Sequence, residues 1–152
     1  MSIQEIESRI KNKGIIPIPA NTGQIQSVLD NFKIEEFPST YNEFLKRMGN
    51  GTRNGFLQGS SCFFNELENL KEWSLELLKE NNSKLILSDN DFVFWMHQGY
   101  QFSFFKLDEG DDPPVYYYTE VTNQLDYVKI TNSFTNFLSR IESRDRYLFR
   151  PQ

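Results

Sequence analysis

Cysteine and histidine are almost missing from this sequence, which carries one of each, Cys62 and His97. A single cysteine excludes an internal disulfide and fits a reducing compartment. One histidine and one cysteine fall short of the three or four nitrogen and sulfur ligands of a zinc site unless carboxylates fill in. Any Ser-His-Asp or Cys-His arrangement would have to pass through His97. Long apolar runs are missing too, since the longest, Phe92 to Met96, is far too short to span a bilayer. Met1-Ser2-Ile3-Gln4-Glu5 has no basic stretch followed by an apolar one, so no signal peptide is read there and a cytoplasmic location is expected. Basic charge is in deficit, with 16 Lys and Arg against 21 Asp and Glu and a net charge of −5. An acidic surface repels phosphate backbones, which argues against nucleic acid as the primary partner. It either speeds encounter with a basic protein or serves solubility.

Aromatic residues are plentiful instead, 15% of the chain with Phe 14 and Tyr 7. They suit a heavy core or a binding face. Ser2 and Glu5 are spaced as a capping box ahead of Ile3, Ile6 and Ile10, and Gly14 stops this first helix. A second begins near Asn21 or Thr22, with Ile25, Val28, Leu29 and Phe32 at helical spacing. A third follows Phe37-Pro38, with Thr40 and Glu43 as its capping box and Gly49-Asn50-Gly51 as its end. A fourth is expected over 65–80, capped by Asn65, with a short strand before it at Phe56-Leu57. Then Lys84 to Ser88, Phe92 to His97, Tyr100 to Leu107, Val115 to Thr119 and Leu125 to Ile130 read as strands, with a hairpin turn at Gln98-Gly99. A last helix starts at Asn132 or Ser133. Helices, a run of strands, then a helix is the pattern of an α+β domain with a mainly antiparallel sheet.

Residues suited to catalysis or metal binding are few. His97 lies among aromatic strand residues and reads as structural or surface-exposed, and Cys62, beside Phe63-Phe64, as a buried inert thiol. The acidic run Asp108-Glu109-Gly110-Asp111-Asp112 lacks the spacing of an EF-hand loop; it is a cation site of another kind or a solvated turn closed by Pro113-Pro114. Asp89-Asn90-Asp91 reads as ordinary turn chemistry. No Walker A or G-x-G-x-x-G run is present, and the aromatic strands carry almost no basic residues for stacking nucleic acid bases. The tail residues Arg140, Arg144, Arg146 and Arg150 interleave with Glu142 and Asp145, as in helical salt bridging. Phe92 to His97 is apolar on both faces, so either helices cover both sides of the sheet or one side carries an exposed aromatic patch.

Phe37-Pro38-Ser39-Thr40-Tyr41-Asn42-Glu43-Phe44-Leu45, followed by Asn50-Gly51, resembles the motif of the SUKH superfamily. The glycine-bearing stretch 55–59, the run Lys84 to Ser88, Pro114-Val115-Tyr116 and Ser133-Phe134 with Phe137-Leu138 are similar in order and spacing. The resemblance implies a curved, mainly antiparallel sheet of about five to six strands with four to five helices packed around it. It further implies a compact bacterial immunity protein that neutralises a toxin, since the eukaryotic cell-wall regulators of the family carry flanking regions. Pro38, Tyr41, Phe44, Leu45, Asn50 and Gly51 read as folding determinants rather than partner contacts.

The chain is therefore expected to be one domain over 1–152, with an N-terminal helix at 1–14 and a core at 21–150. Its expected partner is a cognate toxin, a basic nuclease domain, bound by a monomer or weak homodimer, with no nucleic acid or membrane partner. The expected contacts are Asp108, Glu109, Asp111 and Asp112 of the acidic turn and Trp95, His97, Tyr116 and Tyr118 of the aromatic strands. No catalytic residue, cofactor or metal is expected; the alternative role is a non-catalytic scaffold or regulatory module.

Overall fold

Ser2 Oγ accepts a hydrogen bond from Glu5 N at 3.1 Å and opens α1 (Ile3–Asn12), which buries Ile3, Ile6 and Ile10. In a computed structural model that describes residues 1–122 and 124–149, each helix start expected from the sequence is occupied, although not every cap is the expected one. A two-stranded ribbon pairs β1 (Ile16–Pro17) with β2 (Thr52–Arg53). Asn21 and Gln24 form a complete capping box at α2 (Thr22–Asn31). The first departure is at α3 (Ser39–Met48), which starts behind Pro38 with no side-chain cap. Thr40 and Glu43 do not cap it. The Thr40 hydroxyl donates to Asp111 O at 2.9 Å, and Glu43 pairs with Arg47 one turn along the helix.

The helix expected over 65–80 is two: α4 (Phe64–Leu67), preceded by Phe63 rather than Asn65, and α5 (Leu70–Glu80). The break lets Leu67 and Leu70 both reach the core. No strand forms at Phe56-Leu57, where the chain turns, and the first strand of the main sheet is β3 (Ser60–Ser61). Residues 84–88 form no ladder either. Leu85 and Leu87 are half-buried while Ile86 is 77% exposed, so the alternation reports a chain lying across the core, not a paired strand. Its backbone is tied by side chains: Tyr127 Oη donates to Ile86 O at 3.0 Å and Ser88 N to Asp91 Oδ2 at 2.8 Å.

The main sheet is open, antiparallel and five-stranded, in the order β3-β4-β5-β6-β7, with β4 (Asp91–His97), β5 (Gln101–Lys106), β6 (Val115–Thr119) and β7 (Val128–Thr131). With six helices among the described residues, two strands in the ribbon and this sheet, the fold is α+β. Positive φ at Gln98 and Gly99, with Tyr100 N donating to His97 O, makes the expected hairpin turn. The last helix is α6 (Phe134–Glu142), capped by Ser133.

Helices and loops cover both sides of the sheet, which removes the exposed aromatic patch. Val93 pairs with Phe104 and Trp95 with Ser103, leaving Phe94 as an extra residue in a β-bulge. Phe94 and Trp95 both pack on Phe137 of α6, at 5.2 and 5.9 Å between ring centroids, so one strand sends consecutive rings to the same side. Tyr41 and Phe134 complete that layer. On the other side Phe102 and Phe104 lie under Tyr127, and Tyr118 receives a hydrogen bond from Asn81 at the end of α5.

Gly49 closes α3 for a reason other than backbone freedom. Its φ is −61°, but a Cβ there would meet Leu45 O at 2.6 Å and Ala20 Cβ at 2.8 Å. Gly51, at φ 107°, is the position that needs a left-handed backbone. Asn50 between them donates from Nδ2 to Pro19 O at 2.9 Å and to Gln24 Oε1 at 2.8 Å, fastening the end of α3 to the start of α2. We expect Gly49→Ala to lower stability by about 1–3 kcal/mol through overpacking against backbone, read as a lower urea midpoint at unchanged m-value.

Candidate partner-binding surface

The β5–β6 connection carries the acidic turn, and its four carboxylates have different duties. Asp112 is half-buried: its carboxylate accepts from Thr135 N at 3.0 Å, Thr135 Oγ1 at 2.6 Å and Thr40 Oγ1 at 3.3 Å. It thereby joins the first turn of α6 to that of α3, with its negative charge at a helix N-terminus where the dipole favours it. Glu109 accepts from Tyr116 Oη at 2.9 Å, and Asp108 from Asn90 Nδ2 at 2.7 Å. Asp111 is exposed, and its backbone carbonyl receives Thr40 N at 3.1 Å.

Beside this turn is a hollow of about 710 Å³ between the α2–α3 loop and the neighbouring ends of β4 and β5, with Phe32, Ile34 and Leu107 among its lining residues. Glu35, Glu36 and Asp89 also line it, all three exposed. Asp89 sits next to Asn90, the partner of Asp108, so the hollow and the acidic turn form one acidic end of the molecule. Its lysines are Lys33, Lys71 and Lys106. Lys71 reaches Ser88 O, and Lys106 stands 5.2 Å above the Tyr116 ring. Residue-by-residue reading passed over Glu35 and Glu36, and it read Asp89 as plain turn chemistry. The available signal was the pair of acids directly before Phe37-Pro38, at the loop that a helix start turns toward the sheet end.

The aromatic candidates separate. Trp95 and Tyr118 are each 3% exposed and belong to the core. Tyr116 is half-buried at the acidic end, bonded to Glu109. His97 is half-buried at the opposite end of β4, its Nδ1 3.2 Å from Ser60 Oγ and its ring parallel to Trp95. Among the described residues Ser60 is its one hydrogen-bond partner, so no third group orients the imidazole as a catalytic base requires. Cys62 is buried, and burial, with Glu66 nearby, pushes its thiol pKa up, away from a reactive thiolate. Among the described residues no group of three His, Cys, Asp or Glu is placed to hold a metal ion, and no helix is long and apolar enough to cross a membrane. Arg140 pairs with Asp145 at 2.8 Å, but Glu142 turns to Lys13 and Arg9 of the N-terminal helix region; Arg150 lies outside the described residues.

This geometry defines an α+β domain whose surface chemistry is acidic and concave. The family model SUKH_6, described as SMI1-KNR4 cell-wall, matches residues 22–138, from the first residue of α2 into α6, and the chain belongs to the SUKH superfamily. The family is generally non-catalytic. A comparison with curated proteins finds no match.

Burial, with the hydrogen bond to Glu109 second, pushes the Tyr116 pKa up to about 12. The neutral hydroxyl is the folded form, so its contribution is fully present below the unfolded value of about 10 and is lost as pH rises toward the folded one. Tyr41, Tyr117 and Tyr127 are raised by burial as well and act in the same direction. Stability should therefore fall with pH above about 10, and Tyr116→Phe should make that fall shallower, measured by urea midpoints across the alkaline range.

Proposed function

We propose that this chain is a cytoplasmic immunity protein that binds a cognate toxin and blocks it by occlusion, using its acidic end against a basic surface of nuclease type. The observation that carries the reading is the grouping of exposed carboxylates around one hollow: Glu35, Glu36 and Asp89 on its wall, Asp108 and Asp111 on the adjoining turn. Membership of the SUKH superfamily supports a protein-binding role without catalysis. Clustered negative charge steers a basic partner and raises the association rate more than it tightens the final complex. The same charge disfavours nucleic acid and anionic membrane as direct partners. The protein acts as a monomer or a weak homodimer in this reading.

Co-expression with the toxin-like gene beside its own is the direct test, read as rescue of growth and a stoichiometric complex. A harmless neighbour, or no complex, would favour a scaffold or regulatory module. For the purified complex we expect the double reversal Glu36→Lys and Asp108→Lys to slow association about tenfold at low salt, with the thermal midpoint nearly unchanged. The wild-type association rate should itself fall as salt rises. An association rate indifferent to both changes would remove the acidic end from the interface.

A further inference from the structure

About 20 Å along β4 from the acidic end, judged by strand rise, the chain builds a depression of opposite character. Its volume is about 360 Å³, and it lies between the 55–60 turn, the strand ends at His97 and Gln101, and the end of α6. The wall is aromatic and apolar. Trp95 stacks parallel on His97 (5.7 Å between centroids, 6° between planes) and on Phe149 (5.0 Å, 12°), with Leu57 and Ile141 alongside.

One cation stands among its polar groups. Arg144 is exposed, and no ion pair or side-chain hydrogen bond ties it to any described residue. His97 uses Nδ1 toward Ser60, which leaves its other ring nitrogen available, while the Gln101 carbonyl is taken by the Tyr117 hydroxyl. Trp95 Nε1 is buried with no acceptor among the described residues. Such an orphaned donor is costly and rare in folded proteins. The chain contains 21 Asp and Glu, yet none lines this depression.

Arg144 also occupies an unfavourable backbone position. Its φ is 56°, and with Arg144 N donating to Ile141 O and Asp145 N to Arg140 O it closes α6 at the left-handed site where glycine or asparagine usually sits. Leu57 on the same wall is left-handed too, at φ 60°.

We propose that this depression binds a carboxylate attached to a flat apolar group. Arg144 clamps the anion, the bonded Ser60–His97 pair has one donor left to add, and the aromatic wall seats the apolar part. One guanidinium fork and neutral donors match a singly charged planar carboxylate. A phosphate dianion would need more cations than this wall offers. The site is independent of the acidic end and of the immunity reading.

The test is a titration of the full chain with N-acetyl-L-phenylalanine and with its primary amide, which keeps the body and drops the charge. Trp95 indole and His97 ring signals are followed by NMR, with the Trp73 indole as internal control. The acid should shift both ring signals to saturation, and the amide should bind about tenfold more weakly, the loss of one charge-assisted bond. Arg144→Gly should keep or raise the thermal midpoint, since glycine relaxes the left-handed site, and should erase the preference for the acid. A short peptide ending in phenylalanine with a free carboxylate separates the sources: tighter binding than the acid assigns a polypeptide C-terminus, equal or weaker binding a free small molecule. The proposal is overturned if neither probe shifts the rings, if acid and amide bind alike, or if Arg144→Gly binds the acid as wild type does.

Discussion

The ring of Tyr41 is the point on which the two halves of the fold converge. It is fully buried and touches Phe37 and Phe44 from its own helix region, Phe92, Phe94 and Phe105 from the sheet, and Phe134 from α6. Edge-to-face and tilted contacts dominate, as the quadrupoles of aromatic rings prefer. Its hydroxyl has no partner among the described residues, and burial raises its pKa well above the ordinary value. The polar atom is carried at a cost, while the ring does the joining. α3, the sheet and α6 all meet at this ring.

Much of the helical architecture was legible because its signals are local. Ser2 and Ser133 cap the helices they precede, and the isoleucine stripe of α1 is buried as its spacing requires. Thr40 shows where local rules fail: its hydroxyl is claimed by Asp111 and Asp112, more than 70 residues along, and no pattern near Thr40 reports that. Lys84 to Ser88 failed for a different reason. Alternating burial is shared by a paired strand and by an extended chain lying on a core, and only tertiary structure tells them apart.

The double-sided apolarity of β4 was visible in sequence, but its cause was not. An unpaired residue at Phe94 resets the alternation, so the pattern mixes two phases of one strand. For the surface, the acidic turn was legible as a run of charge, whereas Glu35, Glu36 and Asp89 join it only through the meeting of separate loops. Trp95 and Tyr118 were attractive as contacts on composition alone, and the layers on either side of the sheet bury them. Aromatic excess in this chain is spent mainly on its interior.

Asp112 has a mechanical consequence. Because one carboxylate is bonded to the starts of both α3 and α6, the turn that displays Asp108 and Asp111 cannot swing outward without breaking its hydrogen bonds to two helices. The display is thus rigidly mounted despite being a loop. Whatever docks against it meets charges whose positions were settled during folding, and little ordering entropy is left to lose on contact. The same mounting restricts adaptability: a partner of different shape finds no loop willing to bend toward it, so selectivity at this end follows from stiffness as much as from charge.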